Sequence, residues 1–221
     1  MVSGRRSAPL DRAALRDQLA RHRLLAIVRG TDVGASRRTV LALVEAGLRI
    51  VELSLAGTAA LDVLTDVIGD LPVEAVVGAG TVLSADDAAR AIDAGAAFVV
   101  TPAWCGGSRS ALDAKVGTIS GALTPTEVVM THEAGALVKL FPADLAGGAR
   151  YVRALRAPLP QVDLVPVGGV DVEGGVAMLA AGALAVGVGS PLVGDAADGG
   201  SLTALGERAR RYLSAVEELD A

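Results

Sequence analysis

Residues 136–142 read Ala136-Leu137-Val138-Lys139-Leu140-Phe141-Pro142, an apolar run with one positive charge at its centre and a proline at its end. A short run of this kind has the composition of a buried strand, and strands that are apolar on both faces belong to parallel sheets covered by helices. Only two lysines, Lys115 and Lys139, occur in the 221 residues. A lysine inside a buried strand is costly unless its charge is used or removed. Burying an amine disfavours the ammonium form and leaves a nucleophile able to attack a carbonyl. Lys139 is therefore a candidate nucleophile. The competing reading is a lysine whose stem is buried while its head reaches water or a carboxylate.

Outward from this stretch the same texture recurs: an apolar, β-branched run, then a loop with glycine or a capping residue, then an alanine-rich helical stretch. Strand candidates are 24–28, 50–55, 75–79, 98–101, 117–120, 137–141, 163–167 and 184–188. Eight strands separated by about one helix each predict an α/β fold, a (β/α)8 barrel. Ser36, Thr58, Ser84, Thr124 and Asp171 are the expected helix N-caps, and Gly47, Gly95, Gly135 and Gly182 the expected helix ends. Residues 1–9 read as disordered. Residues 10–21, with Leu10, Ala14, Leu15 and Leu19 near one face, predict an extra N-terminal helix lying as a lid on the bottom of the barrel. Residues 10–221 form a single domain with no linker. An open, doubly wound sheet would want an early glycine fingerprint, but Gly78 and Gly80 are followed by Leu83, and Gly187 and Gly189 by Leu192, where a third glycine is required.

Composition narrows the function. Apolar residues make up 52% of the chain and aromatic ones 2%, so the core is built from Ala, Val, Leu and Ile. A net charge of -5 with scattered arginines argues against a nucleic-acid partner. One cysteine excludes an internal disulfide framework, and His22 and His132 are too far apart to suggest a zinc cluster. The N-terminus lacks the apolar core of a signal peptide, so a reducing cytoplasm is expected. Residues 174–194 carry no charge, which raises the question of a membrane span. Their glycines and Pro191 instead predict a buried helix, a turn at Ala181-Gly182 and a glycine-ended strand, with no membrane contact.

Barrels of this class carry their active sites at the carboxyl ends of the strands. Glu52 interrupts the second strand and by period two shares a face with Ser54, opposite Val51, Leu53 and Leu55, which aims it inward. Lys139 shares a face with Leu137 and Phe141 in the sixth. Together they read as base and nucleophile, or else as a structural ion pair. Arg29 ends the first strand and Thr81 follows the third, and a guanidinium with a hydroxyl suits a carboxylate. Gly168-Gly169 and Gly189-Ser190 end the seventh and eighth strands, the usual phosphate position in such barrels. Trp104 and Cys105 read as loop residues, with Trp104 at the mouth. Lys115 and His132 read as surface.

These residues resemble a known family. Ala26-Ile27-Val28-Arg29-Gly30, Val51-Glu52-Leu53, Gly78-Ala79-Gly80-Thr81-Val82-Leu83, Val100-Thr101-Pro102, Val138-Lys139-Leu140-Phe141-Pro142, Val167-Gly168-Gly169 and Gly189-Ser190 are similar, in order, to the 2-keto-3-deoxy-6-phosphogluconate and -galactonate aldolases. The resemblance runs from about Leu24 to Val193. It implies a Schiff-base lysine at Lys139, a general acid/base at Glu52, carboxylate contacts from Arg29 and Thr81, and phosphate contacts from Gly168, Gly169, Gly189 and Ser190. It further implies a homotrimer that uses no metal or cofactor. Ala56 stands where the gluconate branch usually has an arginine, and Val167 also leans toward the galactonate branch. Ser120 stands where proline is common.

The expected reaction is cleavage of a 2-keto-3-deoxy-6-phospho sugar acid to pyruvate and glyceraldehyde 3-phosphate through an imine on Lys139. Two rivals are a phosphate-binding barrel isomerase or epimerase with Glu52 as proton shuttle, and a barrel that binds a sugar phosphate without catalysis.

Overall fold

The computed structural model describes residues 9–220, so the disorder expected of residues 1–9 falls, except for Pro9, outside the described residues. The elements are α1 (Arg12–His22), β1 (Leu24–Val28), α2 (Val33–Glu45), β2 (Ile50–Ser54), α3 (Ala60–Val67), β3 (Val76–Gly80), α4 (Ala85–Asp93), β4 (Val99–Thr101), α5 (Gly106–Asp113), β5 (Thr118–Ala122), α6 (Pro125–Glu133), β6 (Leu137–Leu140), α7 (Gly148–Arg156), β7 (Leu164–Pro166), α8 (Val172–Ala180), β8 (Val186–Val188), α9 (Ser190–Val193) and α10 (Leu202–Asp220). The eight strands run parallel in the order β7-β6-β5-β4-β3-β2-β1-β8. A bridge between Val167 and Gly187 closes the ring, and the Leu184 N–H donates to the Leu164 carbonyl at 2.8 Å. This is the expected (β/α)8 barrel with an N-terminal helix.

Period-two alternation sorts the strand residues into two cores. Val51, Leu53, Val77, Ala79, Val138 and Leu140 pack outward against the helices. Leu25, Ile50, Val76, Ile119, Leu137 and Val165 point inward, and there they meet Leu15 and Leu19 of α1, both fully buried. The expected lid on the bottom of the barrel is therefore present. The Leu10 N–H donates to the Ala97 carbonyl at 2.8 Å, and Leu10 in turn accepts from Gly117 at 2.7 Å, which ties the entering chain to two bottom loops. Burying a leucine side chain of this kind stabilises by about 1.5–3 kcal/mol.

Helix ends follow the expected residues in most places. Ser84 and Thr124 each begin a capping box, with Asp87 and Glu127 reaching back, and Asp171 accepts from the Gly174 N–H at 2.7 Å. Two expected caps are corrected. Asp32, not Ser36, caps α2, because the Ser36 hydroxyl is buried inside the helix's packed face and donates to the Ala197 carbonyl at 3.1 Å. Thr58 caps nothing: α3 starts after Ala59, without a side-chain cap. Gly47, Gly95, Gly135 and Gly182 hold φ between 95° and 116° and end α2, α4, α6 and α8. Lys115, at φ 59°, does the same for α5 and is exposed, as expected of it. His132 is corrected from surface to half-buried, with Nδ1 enclosed and without a hydrogen-bond partner.

Residues 174–194 form most of α8, the turn at Gly182 and β8, as read from the sequence, and also α9; α8 is buried on one face only, with Ala177 and Ala180 exposed, which corrects the expected buried helix. Among the described residues no helix is long and apolar enough to cross a membrane.

Candidate active site

Two residues above the apolar floor, the inward column changes character. Glu52 pairs in register with Ile27 on one side and Gly78 on the other, and Lys139 with Gly121 and Val165. Gly78 and Gly121 carry no side chain at this level, where Phe98 and the Pro102 carbonyl occupy the space a β-carbon would need. Glu52 is 1% exposed and Lys139 5%. A β-carbon on Gly80 would collide with the Glu52 carboxyl, so this glycine is the seat on which the acid rests. Gly121 has a similar task, since a β-carbon there would collide with the Pro102 carbonyl, where the chain leaving β4 crosses beside Lys139.

Burial holds the Glu52 carboxyl well above the ordinary carboxylate range, against the opposing pull of Lys139 and then Arg29. Its Oε2 is enclosed and has no hydrogen-bond partner. A buried polar oxygen left open is unfavourable unless something else fills it. Glu52 and Lys139 are electrostatically coupled without a direct ion pair, which disfavours the purely structural reading. The Lys139 Nζ lies 5.4 Å from the centre of the Phe141 ring. Phe141 stands just beyond β6, 38% exposed, so it borders both the amine and the mouth of the barrel.

Arg29 is exposed at the end of β1 and lines a cavity of about 270 Å³ with Ile27, Gly189, Ser190, Gly194 and Asp198. Thr81 is not among the residues lining this cavity, and its hydroxyl lies 2.9 Å from the Ser54 Oγ. The structure thus brings Arg29 to the β8 glycines and places Thr81 against the top of β2. Gly168 and Gly169 hold φ of 99° and 68°, a backbone region that suits glycine. Because Val167 and Gly187 are bridged, Gly169 and Gly189 leave the barrel from neighbouring strands, two residues beyond the bridge. Cys105 is half-buried at the start of α5, its Sγ 3.5 Å from the Val82 carbonyl, and Trp104 beside it is 36% exposed.

Reasoning from the sequence missed the seat at Gly80, the crossing at Gly121 and the Ser54–Thr81 contact. The first two left a signal: glycines at the inward positions of β3 and β5 mark where another group takes the place of a side chain.

A family model described as "Aldolase: KDPG and KHG aldolase" matches residues 15–202. The KHG/KDPG aldolase of Escherichia coli K12 is 33% identical over 132 residues, which is 59% of this chain and 62% of that protein, so the chain spans less than two thirds of this relative's length. The 2-dehydro-3-deoxy-6-phosphogalactonate aldolase of the same organism is 33% identical over 175 residues, 76% of this chain and 83% of that one. A solved structure described as native KDPGal superposes with a TM-score of 0.80 at 30% identity, over 89% of this chain and 95% of that one. The matched span runs from within α1, through all eight strands, to the first residue of α10, and it contains the buried acid and the buried amine. The chain therefore belongs to the KDPG and KHG aldolase family.

Proposed function

We propose that this protein is a class I aldolase that cleaves a 2-keto-3-deoxy-6-phospho sugar acid to pyruvate and glyceraldehyde 3-phosphate. The observation that carries this reading is a buried lysine and a buried, unpartnered carboxyl at one level of the barrel interior. Lys139 adds as the free amine to the C2 ketone. Glu52 in its protonated form, which burial favours, donates a proton as hydroxide leaves the carbinolamine, giving the protonated imine and a carboxylate. The carboxylate then removes the C4 hydroxyl proton, the C3–C4 bond breaks, and its electron pair is taken up by the imine as an enamine. Glyceraldehyde 3-phosphate departs. Glu52 returns its proton to C3, takes one from the water that adds to the iminium carbon, and pyruvate leaves with the amine restored. Acid/base help of this kind accelerates a step by about 10²–10⁴-fold.

In the same reading Gly168, Gly169, Gly189 and Ser190 present backbone N–H groups to the phosphate. Arg29, whose cavity includes Gly189 and Ser190, adds positive charge at that end while still acting on Glu52. Thr81 receives the carboxylate. The names of the two Escherichia coli relatives support phosphorylated sugar acids as the substrate class. A homotrimer and a cytoplasmic setting complete the reading, the latter supported by the single cysteine. Sedimentation of the purified protein as a monomer would remove the trimer.

Reduction with borohydride in the presence of pyruvate tests the chemistry. A stable mass increment on Lys139, absent from Lys139→Met, is expected. An intact, folded protein that gains no adduct would leave Glu52 as the proton shuttle of an isomerase or epimerase, and would defeat the aldolase reading.

A further inference from the structure

Ser54 ends β2 two residues beyond Glu52, on the same inward face, and is 1% exposed. Its Oγ lies 2.9 Å from Thr81 Oγ1, and among the described residues it has no other side-chain hydrogen bond. Thr81 holds φ at 58°. Among the described residues two others without the freedom of glycine share this conformation, Arg23 and Lys115, and each follows the end of a helix, where a left-handed residue is ordinary. Thr81 instead follows a strand, and a β-branched residue is strained there. Glycine would suit the backbone better. A threonine held in that conformation points to its hydroxyl as the group the site needs.

We infer that Ser54 is a positioning residue: its hydroxyl donates to Thr81 Oγ1 and so directs the Thr81 proton toward the substrate carboxylate. A hydroxyl owns one proton. If Thr81 donated it to Ser54, the anion would face lone pairs only. When Ser54 donates instead, Thr81 is free to donate outward, and the two bonds polarise each other in sequence. The strained backbone at Thr81 and the buried partner beneath it then serve one end, a donor fixed in place before substrate arrives.

This inference rests on the aldolase reading, and the experiment separates the two. Borohydride trapping of pyruvate is followed as a function of pyruvate concentration in the full chain, for wild type, Ser54→Ala, Ser54→Thr, Thr81→Gly and the Ser54→Ala/Thr81→Gly double variant, alongside thermal melting. Ser54→Ala is expected to raise the half-saturating pyruvate about tenfold while the adduct at saturation still forms on Lys139, the size expected for losing one oriented hydrogen bond to a charge. Ser54→Thr restores it. Thr81→Gly shows a rise at least as large yet melts no lower than wild type, because the strain is relieved with the hydroxyl gone. The double variant is no worse than Thr81→Gly alone, since Ser54 acts only through Thr81. Wild type that traps pyruvate, together with Ser54→Ala of unchanged half-saturation or a loss that Ser54→Thr does not restore, overturns the inference alone. Wild type that forms no adduct overturns the aldolase reading and this inference with it.

Discussion

The lower and upper halves of the barrel interior are built by the same strands and differ by two residues along each. Leu25, Ile50 and Leu137 make the floor, and the next inward positions on the same strands are Ile27, Glu52 and Lys139. That step is about 6.6 Å along a strand. Below it, α1 presses Leu15 and Leu19 into the ring, and every contact stabilises the fold. Above it, glycines 78, 80 and 121 replace side chains, and an acid is held where water would solvate it better. The floor is optimised for burial. The level above it gives up stability for chemistry, and this division can be tested by exchanging what each half contributes.

The largest effect is expected from Glu52→Gln. Turnover should fall by about 10²–10⁴-fold, whereas stability should rise, the opposite of what a floor residue does. The sign follows from the raised Glu52 pKa. The unfolded carboxyl ionises near its ordinary value of 4.5 and the folded one resists, so the contribution of Glu52 to stability is fully present below that pH and is lost as pH climbs through the folded pKa. Melting curves at pH 4 and pH 8 should show the gap between variant and wild type opening only at the higher pH. A constant gap would mean the carboxyl is not strained by burial. The rate of imine formation from pyruvate should likewise fall in wild type as Glu52 ionises, and Glu52→Gln should lack that limb.

Next in size is Leu19→Ala, which should cost about 2–5 kcal/mol of stability by denaturant titration and leave KM in place. A change in KM at unchanged stability would erase the boundary between the halves. Gly80→Ala pushes the Glu52 carboxyl off its seat, and a displacement of about 1 Å costs turnover about 10²-fold, readable as a loss in kcat with the Lys139 adduct still forming. Thr124→Ala should cost about 1 kcal/mol as the loss of a helix cap. It removes a hydroxyl remote from the chemistry. Glu127, whose carboxyl is held below its ordinary range first by the Thr124 backbone N–H, contributes stability at neutral pH that is lost on acidification.

The sequence exposed the parts of this structure that are local. All eight strands are where period and β-branching put them, to within about two residues, because a buried parallel strand cannot hide its composition. Glu52 and Lys139 stood out for the same reason: a charge in an apolar run has few explanations. What stayed hidden depended on chain brought from far away. Asp32 and Ser36 are both good capping residues, and only the Ala197 carbonyl, 161 positions on, takes Ser36 out of contention. Arg29 and Thr81 read as one carboxylate clamp from their places after β1 and β3, and the sequence could not show that Arg29 shares a cavity with Gly189 and Ser190 or that Thr81 meets Ser54. His132 reads as exposed from its place at the polar end of a helix, yet its Nδ1 is enclosed.

Six of the eight joins between strands are ladders of three to five paired residues; β3 and β4 pair in register only at Ala79 and Val99 but are bound further by the Ala79, Val82 and Ala97 N–H groups, and β7 and β8 meet at a single bridge, Val167 and Gly187. A ring sewn this way opens first at its thinnest seam. Gly168-Gly169 and Gly189-Ser190 hang from either side of that seam, so an anion gripped by both acts as a clasp. Amide protons along β7 and β8 should exchange with solvent ahead of those in β2 and β3, and phosphate should slow them most.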